Sequence, residues 1–343
     1  MANLGYLQLT RDCVQACRFC SNPPTGEDLT ETQMRAAIDD LVELGYDGVI
    51  LTGGEPTCSP LLVPTLRYAA ERGLQSRIIT NGQLLADRSL FERCVAAGLE
   101  HLHLSLQSHR PAVHDFITQN PGSFDRAMTC LSHVPHLGVT GDINTVIHAY
   151  NSDHLDDTVR WLCEHFPFLR HFVWNNLDPE GPRTAQNPDC IPRVHEFQVA
   201  LERAMDFLHQ SGRTFRAERV PLCGMPRYAW AATETRKIIK EEERSVRFLD
   251  AKGVVRQREF LHDKGAVCEP CRYDPICAGM YSMGRHYDEA ELSPLFDDPV
   301  VVVQQVLSHP PSPDLTARIL ARRGRRAPSA EPAGIGPGEP AAS

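Results

Sequence analysis

A chain of 343 residues can bury a large core, and a main domain of about 200–250 residues plus an appendage is a natural division. Lys and Arg total 35 against 44 Asp and Glu, and the net charge of −9 disfavours broad nucleic-acid binding, which needs a basic footprint. The longest aliphatic run, residues 300–303, is far too short to span a bilayer. Twelve cysteines in a long chain without a signal peptide do not read as a disulfide scaffold, so a reduced, cytoplasmic setting is expected.

The first predicted element is a strand, Leu4–Thr10, which presents the loop Asp12-Cys13-Val14-Gln15-Ala16-Cys17-Arg18-Phe19-Cys20. Its three thiols stand in a C-x3-C-x2-C spacing with no fourth cysteine close behind. Iron–sulfur clusters are held by cysteine thiolates, and a complete cubane takes four of them, so a loop supplying three leaves one iron open. Catalytic zinc sites stop one protein ligand short in the same way. A structural zinc loop is the alternative, but zinc motifs favour paired C-x2-4-C spacings contributing four ligands. Next, Thr30 and Gln33 make a capping box, and Met34, Ala37, Ile38, Leu41 and Val42 recur at helical spacing up to Gly45. A buried strand over 48–52 leads into Gly53-Gly54-Glu55-Pro56, where two glycines let backbone approach a ligand that a Cβ would block.

The cysteine spacing behind a strand, followed by Gly-Gly-Glu-Pro after a strand–helix–strand passage, resembles the radical S-adenosylmethionine (radical SAM) superfamily. The resemblance implies that Cys13, Cys17 and Cys20 hold a 4Fe-4S cluster whose open iron is chelated by the amino and carboxylate groups of SAM. It also implies that Phe19 packs near adenine and that Gly53, Gly54 and Glu55 contact the amino group of SAM.

The alternation continues with a helix over 60–72, a strand over 77–80 turning on Asn81-Gly82, and a helix over 90–97 stopped by Gly98. In the strand over 100–107, Leu102, Leu104 and Leu106 share one face, and His101, His103, Ser105 and Gln107 the other. In a parallel barrel the leucines meet the outer helices and the polar set faces the lumen, with Ser105 and Gln107 nearest the catalytic carboxyl end. The resemblance makes Ser105 a candidate SAM contact. His101 and His103 read as a hydrogen-bonded interior pair near the barrel bottom rather than as catalytic groups. No third ligand is apparent for a metal there. On the fifth strand, Thr140–Ile147, Asp142, Asn144 and Val146 share a face, and Asn144 is either a second polar contact to SAM or a structural amide. A helix over 153–166 and a sixth strand over 169–176 follow, with Asn175, Asn176 and Asp178 read as turn formers ahead of substrate contacts. Cys58, Cys94, Cys130, Cys163 and Cys190 fall singly and read as buried thiols.

Six strand–helix units make a parallel sheet. That number matches the partial (β/α)6 TIM-type barrel of radical SAM enzymes, so the expected fold class is α/β, such a barrel over 1–212 with a small cysteine-rich extension over 213–290. The extension begins with a strand-like 215–222 ending at Cys223, then a short charged helix and a hairpin over 246–260 pivoting on Lys252-Gly253. Cys268, Cys271 and Cys277 resemble part of the SPASM/Twitch extensions of the superfamily. A full SPASM pattern has more cysteines and two clusters, and here Tyr281 stands where another cysteine is expected. One auxiliary 4Fe-4S cluster on Cys223, Cys268, Cys271 and Cys277 is therefore expected, with zinc as the alternative because four thiolates also make a good tetrahedral site. Periodicity is lost from Asp288, and the Pro-, Ala-, Gly- and Arg-rich 309–343 reads as a short helix over 313–323 and a disordered, solvated end.

By resemblance, the chain cleaves SAM reductively to a 5′-deoxyadenosyl radical that abstracts hydrogen from a small metabolite or a peptide, fed by a flavodoxin or ferredoxin. No side chain need act as a general base for radical formation. Only twelve residues precede Cys13, so a maturase of a ribosomally made peptide would need a separate leader-binding partner, which tilts the expectation toward a small metabolite. The reading from another class is a non-catalytic iron–sulfur carrier or a zinc-stabilised binding module.

Overall fold

A computed structural model describes residues 3–308, 310, 313–322 and 325–326. In chain order the first half runs β1 (Leu4–Thr10), α1 (Glu31–Glu43), β2 (Gly48–Gly53), α2 (Leu62–Glu71), β3 (Gln75–Thr80), α3 (Arg88–Ala96) and β4 (Leu99–Ser105). Then come α4 (Pro111–Thr118), α5 (Ser123–Leu137), β5 (Thr140–Ile147), α6 (Leu155–His165), β6 (His171–Asn176), α7 (Val194–Gln210) and β7 (Thr214–Glu218). The last part holds α8 (Thr233–Lys240), β8 (Arg244–Arg247), β9 (Val254–Gln257), β10 (Asp263–Lys264), α9 (Pro299–Leu307), α10 (Pro313–Leu320) and β11 (Arg325–Arg326).

Local chemistry explains the elements. Thr30 caps α1 through Gln33 N–H at 3.3 Å while the Gln33 side chain accepts from the Thr30 amide at 3.0 Å, and Met34, Ala37, Ile38 and Leu41 turn inward. Leu102, Leu104 and Leu106 are wholly buried under the helices, leaving the polar face of β4 for the lumen. The sheet has the order β7-β6-β5-β4-β3-β2-β1-β8-β9, parallel throughout except for the antiparallel β8–β9 hairpin. Seven parallel strands follow the βα alternation, and β8, which follows α8, docks beside β1. Among the described residues, backbone hydrogen bonds do not close the ring. Across the gap, Glu218 on β7 pairs with Arg244 on β8, whose guanidinium also lies over the Tyr6 ring at 5.4 Å. A pair between strands so far apart in the sheet order requires the sheet to curl, so the architecture is a partial TIM-type barrel.

Three features differ from the sequence reading. The 108–139 stretch forms two helices, α4 started by Pro111 and α5 ending on Gly138 in the left-handed region. The long amphipathic α7 buries Phe197, Leu201 and Met205 against the sheet. Beyond Asp288 periodicity is hidden rather than lost: Asp298 accepts from the Val300 amide at 3.1 Å, Pro299 opens α9, and Val302, Val303 and Val306 are buried. A run of valines masks a helical period because every position is apolar. The helix expected at 313–323 is present as α10, and Arg318 and Arg322 grip Glu241 at 3.1 and 2.8 Å. Of the disordered end expected after 323, Arg325–Arg326 instead pair as β11 with β10, and 324 and 327–343 lie outside the described residues. Among the described residues, no helix is long and apolar enough to cross a membrane.

Candidate functional site

The site lies at the carboxyl end of the parallel strands, where a cavity of about 230 Å³ is lined by Cys13, Cys17, Cys20, Gly53 and Gly54 among others. The cysteine loop leaves β1 and is pinned from the side by α4, with Ala16 N–H to Thr118 O at 3.0 Å and Arg18 N–H to Ile117 O at 2.9 Å. Arg18 strengthens that clamp, its guanidinium 4.2 Å above the Phe116 ring and 2.9 Å from Asn187 Oδ1.

Gly53 and Gly54 answer first to the loop rather than to a ligand. A Cβ on Gly53 would lie 2.3 Å from Thr10 O and one on Gly54 2.3 Å from Asp12 O. Gly53 also takes a φ of +129°, open only to glycine. Freed of side chains, the turn lets Gly54 N–H and Glu55 N–H donate to Thr10 O and Asp12 O, both at 2.7 Å. Glu55, expected at the SAM amino group, directs its side chain inward. Its buried carboxylate accepts from Thr57 N–H and Oγ1 at 3.1 and 2.6 Å, Thr80 Oγ1 at 2.7 Å and Asn81 N–H at 2.7 Å. Burial raises its pKa while those donors pull it down. Glu55 thus staples the end of β2 to the end of β3.

The three thiols influence one another. Burial pushes Cys13 up to about 12, with Glu55, Cys20 and Cys58 adding to it, and Cys17 is raised by burial and then by Cys20 and Cys13. Cys20 is raised by burial as well. Such thiols stay protonated unless a cation takes the proton's place. Donors already point at sulfur: Gln15 N–H to Cys13 Sγ at 3.4 Å and Asn81 Nδ2 to Cys13 Sγ at 3.6 Å. Gln15 Nε2, on the cavity wall, is buried without a partner among the described residues. Three soft donors, amide hydrogens directed at sulfur and an orphan amide nitrogen suit an iron–sulfur cluster with a ligand above it.

Phe19 lines the cavity and stacks on the buried His148, ring centroids 5.7 Å apart and planes within 18°. Ser105 also faces the cavity, whereas Gln107, on the same wall, spends its side-chain oxygen on Val146 N–H at 3.1 Å. Asn144 stands back from the cavity and reaches it through Asn175, whose amide donates to Asn144 Oδ1 at 2.7 Å. Asn175, Asn176 and Asp178, read as turn formers, all line the cavity, and Asp178 also caps Glu180 N–H at 3.0 Å. Sequence reasoning missed Asn81, His148 and Arg219. Arg219 leaves β7 with φ +57°, lines the cavity and lies over the Tyr281 ring at 5.4 Å. The rule that barrel chemistry sits just past a strand's carboxyl end would have found it, had 215–222 been counted among the barrel strands. Cys94, Cys130, Cys163 and Cys190 are buried as expected, but Cys58 is only half-buried and sits beside the loop, burial and Glu55 pushing it up to about 11.

A second set gathers Cys223, Cys268, Cys271 and Cys277 around one small pocket. Backbone amides point at sulfur again, Leu295 N–H to Cys271 at 3.3 Å and Gly279 N–H to Cys277 at 3.4 Å. Burial raises Cys223 to about 12, with the other three thiols adding to it. Lys264, also on this pocket, is fully buried and donates to Asp274 O at 2.6 Å and Oδ1 at 3.1 Å.

Deeper in the lumen, His101 is hydrogen-bonded as expected but His103 is not, and the expectation of no third ligand is corrected. Asp142 on β5 presents Oδ2 at 2.6 Å from His101 Nε2 and 3.6 Å from His103 Nδ1. Burial, then the His101 ring, hold His103 down to about 3, so it is a neutral imidazole.

Residues 7–162 match the family described as Radical SAM superfamily. A PqqA peptide cyclase of Ruegeria pomeroyi is 35% identical over 161 residues, 46% of this chain and 43% of that protein. An AdoMet-dependent heme synthase of Oleidesulfovibrio alaskensis is 27% identical over 219 residues, 62% of this chain and 55% of that protein. In fold, the chain is similar to Streptococcus suis SuiB bound to precursor peptide SuiA, with a TM-score of 0.55 at 17% identity, covering 66% of this chain and 52% of that one. The chain thus spans about half the length of the relatives it matches.

Proposed function

We propose that the chain is an enzyme of the radical SAM superfamily, that Cys13, Cys17 and Cys20 hold a 4Fe-4S cluster with SAM at its open iron, and that the substrate is a peptide. The observation that carries this is one cavity in which three mutually sensitive thiols meet the Gly53–Gly54 turn, Ser105 and Phe19. When bound, cluster and SAM together supply a 5′-deoxyadenosyl radical that takes hydrogen from an unactivated carbon.

The chain's own residues position and shield. Gly53 and Gly54 hold the cysteine loop at the strand ends, and Glu55 fixes that turn against β3. Phe19, backed by His148, offers a flat apolar surface for the adenine ring. Ser105 and the Asn144–Asn175 pair offer hydroxyl and amide groups to the ribose or carboxylate of SAM. Arg219, at the mouth, offers a guanidinium to a substrate carboxylate or backbone carbonyl.

Apart from β7 and β8, which belong to the barrel sheet, the residues beyond about 213 serve as an extension of the SPASM/Twitch kind, and Cys223, Cys268, Cys271 and Cys277 hold an auxiliary 4Fe-4S cluster, with zinc as the alternative. With four thiols engaged, a cluster held there would leave no iron open to substrate, so these cysteines would serve electron relay or brace the extension. A flavodoxin or ferredoxin supplies the electron.

A peptide is favoured because relatives are named for one: the cyclase for PqqA peptide, and SuiB for its complex with a precursor peptide. The heme synthases support the second reading, a small metabolite, since they match a longer share of the chain. Anaerobic reconstitution with iron, sulfide, dithionite and SAM tests the reading. 5′-Deoxyadenosine should form, slowly alone and faster with the true substrate, whereas an iron–sulfur carrier or zinc module forms none.

A further inference from the structure

We propose that His101, His103 and Asp142 form a site for one divalent transition-metal ion of the zinc class, in the floor of the barrel lumen and separate from both cysteine sets. The three side chains have ligand atoms that all lie within 4.8 Å of one another. Strand geometry puts them there: His101 and His103 are two apart on β4 and so share a face, and Asp142 is the register partner of His103 on β5. Both strands are interior to the sheet, so the donors sit on rigid backbone.

The hydrogen bonding is incomplete in the way a missing cation would explain. Asp142 Oδ2 is satisfied by His101 Nε2 at 2.6 Å. His103 Nδ1, at 3.6 Å from the same oxygen, is beyond hydrogen-bond range, and His103 Nε2 is buried without a partner among the described residues. His103 is half-buried, and its Nδ1 faces the carboxylate beyond hydrogen-bond range, open to an ion. The two rings stack nearly parallel, centroids 4.4 Å apart at 16°, which sends both toward one carboxylate oxygen. An ion held by His101 Nε2, His103 Nδ1 and Asp142 Oδ2 would replace the His101–Asp142 hydrogen bond and leave the His103 proton on Nε2.

The donor set selects the ion. Two imidazoles and one carboxylate suit zinc and its transition-metal neighbours, with one position open, whereas magnesium and calcium prefer oxygen throughout. His103 lines a cavity of about 600 Å³ shared with His171, Arg216 and Arg236, which gives the ion a way in. The positive charge of Arg216, Arg236 and nearby Arg77 opposes a bare cation and favours one whose open position carries hydroxide or another anion. His103 precedes Ser105 by two residues, roughly 7 Å along the strand. The ion would therefore sit beneath the SAM cavity, as a rivet between β4 and β5.

Cluster-loaded protein, dialysed anaerobically against zinc and then against metal-free buffer, would be compared with His103→Gln and Asp142→Asn by metal analysis and zinc-edge X-ray absorption. Wild type should keep one zinc per chain more than either variant at equal iron content, with a fraction showing nitrogen and oxygen neighbours near ~2.0 Å and no sulfur near ~2.3 Å. Zinc affinity should fall at least tenfold in each variant. Equal zinc in wild type and variants would overturn the proposal. So would a wild-type absorption spectrum with only sulfur-bound zinc, a result that needs no variant to fold.

Discussion

The two cysteine sets solve opposite problems with the same side chain. Cys13, Cys17 and Cys20 come from eight consecutive residues and open into a cavity bounded by a glycine turn and polar side chains. Cys223, Cys268, Cys271 and Cys277 are collected from distant segments and close around a pocket walled by Pro221, Leu222 and Leu295, with a buried lysine at its edge. Three thiols in an open cavity leave a metal position for a ligand, while four in an apolar pocket leave none. On the proposed reading, access and thiol number give chemistry to the first set and support to the second.

The sharpest way to break this contrast is to remove thiols. Cys17→Ala should abolish 5′-deoxyadenosine formation and lower iron by about four per chain, leaving the second centre in place. Cys277→Ala should remove the second centre's metal yet leave SAM cleavage measurable, dropping mainly turnover of substrate. Equal loss of cleavage in both variants would erase the distinction.

Next comes the glycine turn. Gly54→Ala places a Cβ 2.3 Å from Asp12 O, a backbone atom that cannot step aside. The expected cost is about 1–3 kcal/mol of stability, with a raised KM for SAM because the loop shifts. Glu55→Gln keeps the volume but replaces one acceptor oxygen with an amide facing existing donors. A loss of roughly 1–3 kcal/mol is expected by chemical denaturation, with iron content preserved.

The smallest effect is a pH dependence behind Phe19. Burial holds His148 down to about 3, and neither ring nitrogen has a hydrogen-bond partner among the described residues. The folded chain keeps this ring neutral while the unfolded chain protonates it near pH 6.5. Its influence on stability is therefore absent above pH 6.5 and grows as a loss between pH 6.5 and about 3, roughly 1.4 kcal/mol by pH 5.5. His148→Phe should flatten urea-unfolding stability between pH 7.5 and 5.5 by about that amount. An unchanged slope would show that the ring finds a proton acceptor in the fold.

What the sequence made legible was local. The cysteine loop, the Gly53-Gly54-Glu55 turn, the Thr30 capping box and the β4 alternation each lie within one short segment, so spacing alone specified them. What it hid was pairing at a distance. Asp142 completes the histidine pair only because β5 lies beside β4 in one register, and Asn175 covers Asn144 through the β5–β6 pairing. Glu55 looked like a ligand because its neighbours in the fold, Thr80 and Asn81, are some 25 residues away in the chain. Arg219 escaped because β7 was assigned to the extension instead of the barrel wall, and α9 because four valines carry no period.

The most direct measurement is the electron paramagnetic resonance spectrum of dithionite-reduced Cys277→Ala protein, in which only the Cys13–Cys17–Cys20 centre contributes, recorded with and without SAM. An open iron taking the amino and carboxylate groups of SAM predicts a clear change in the signal. Superimposable spectra would contradict a three-thiol cluster with a ligand at its vacant corner.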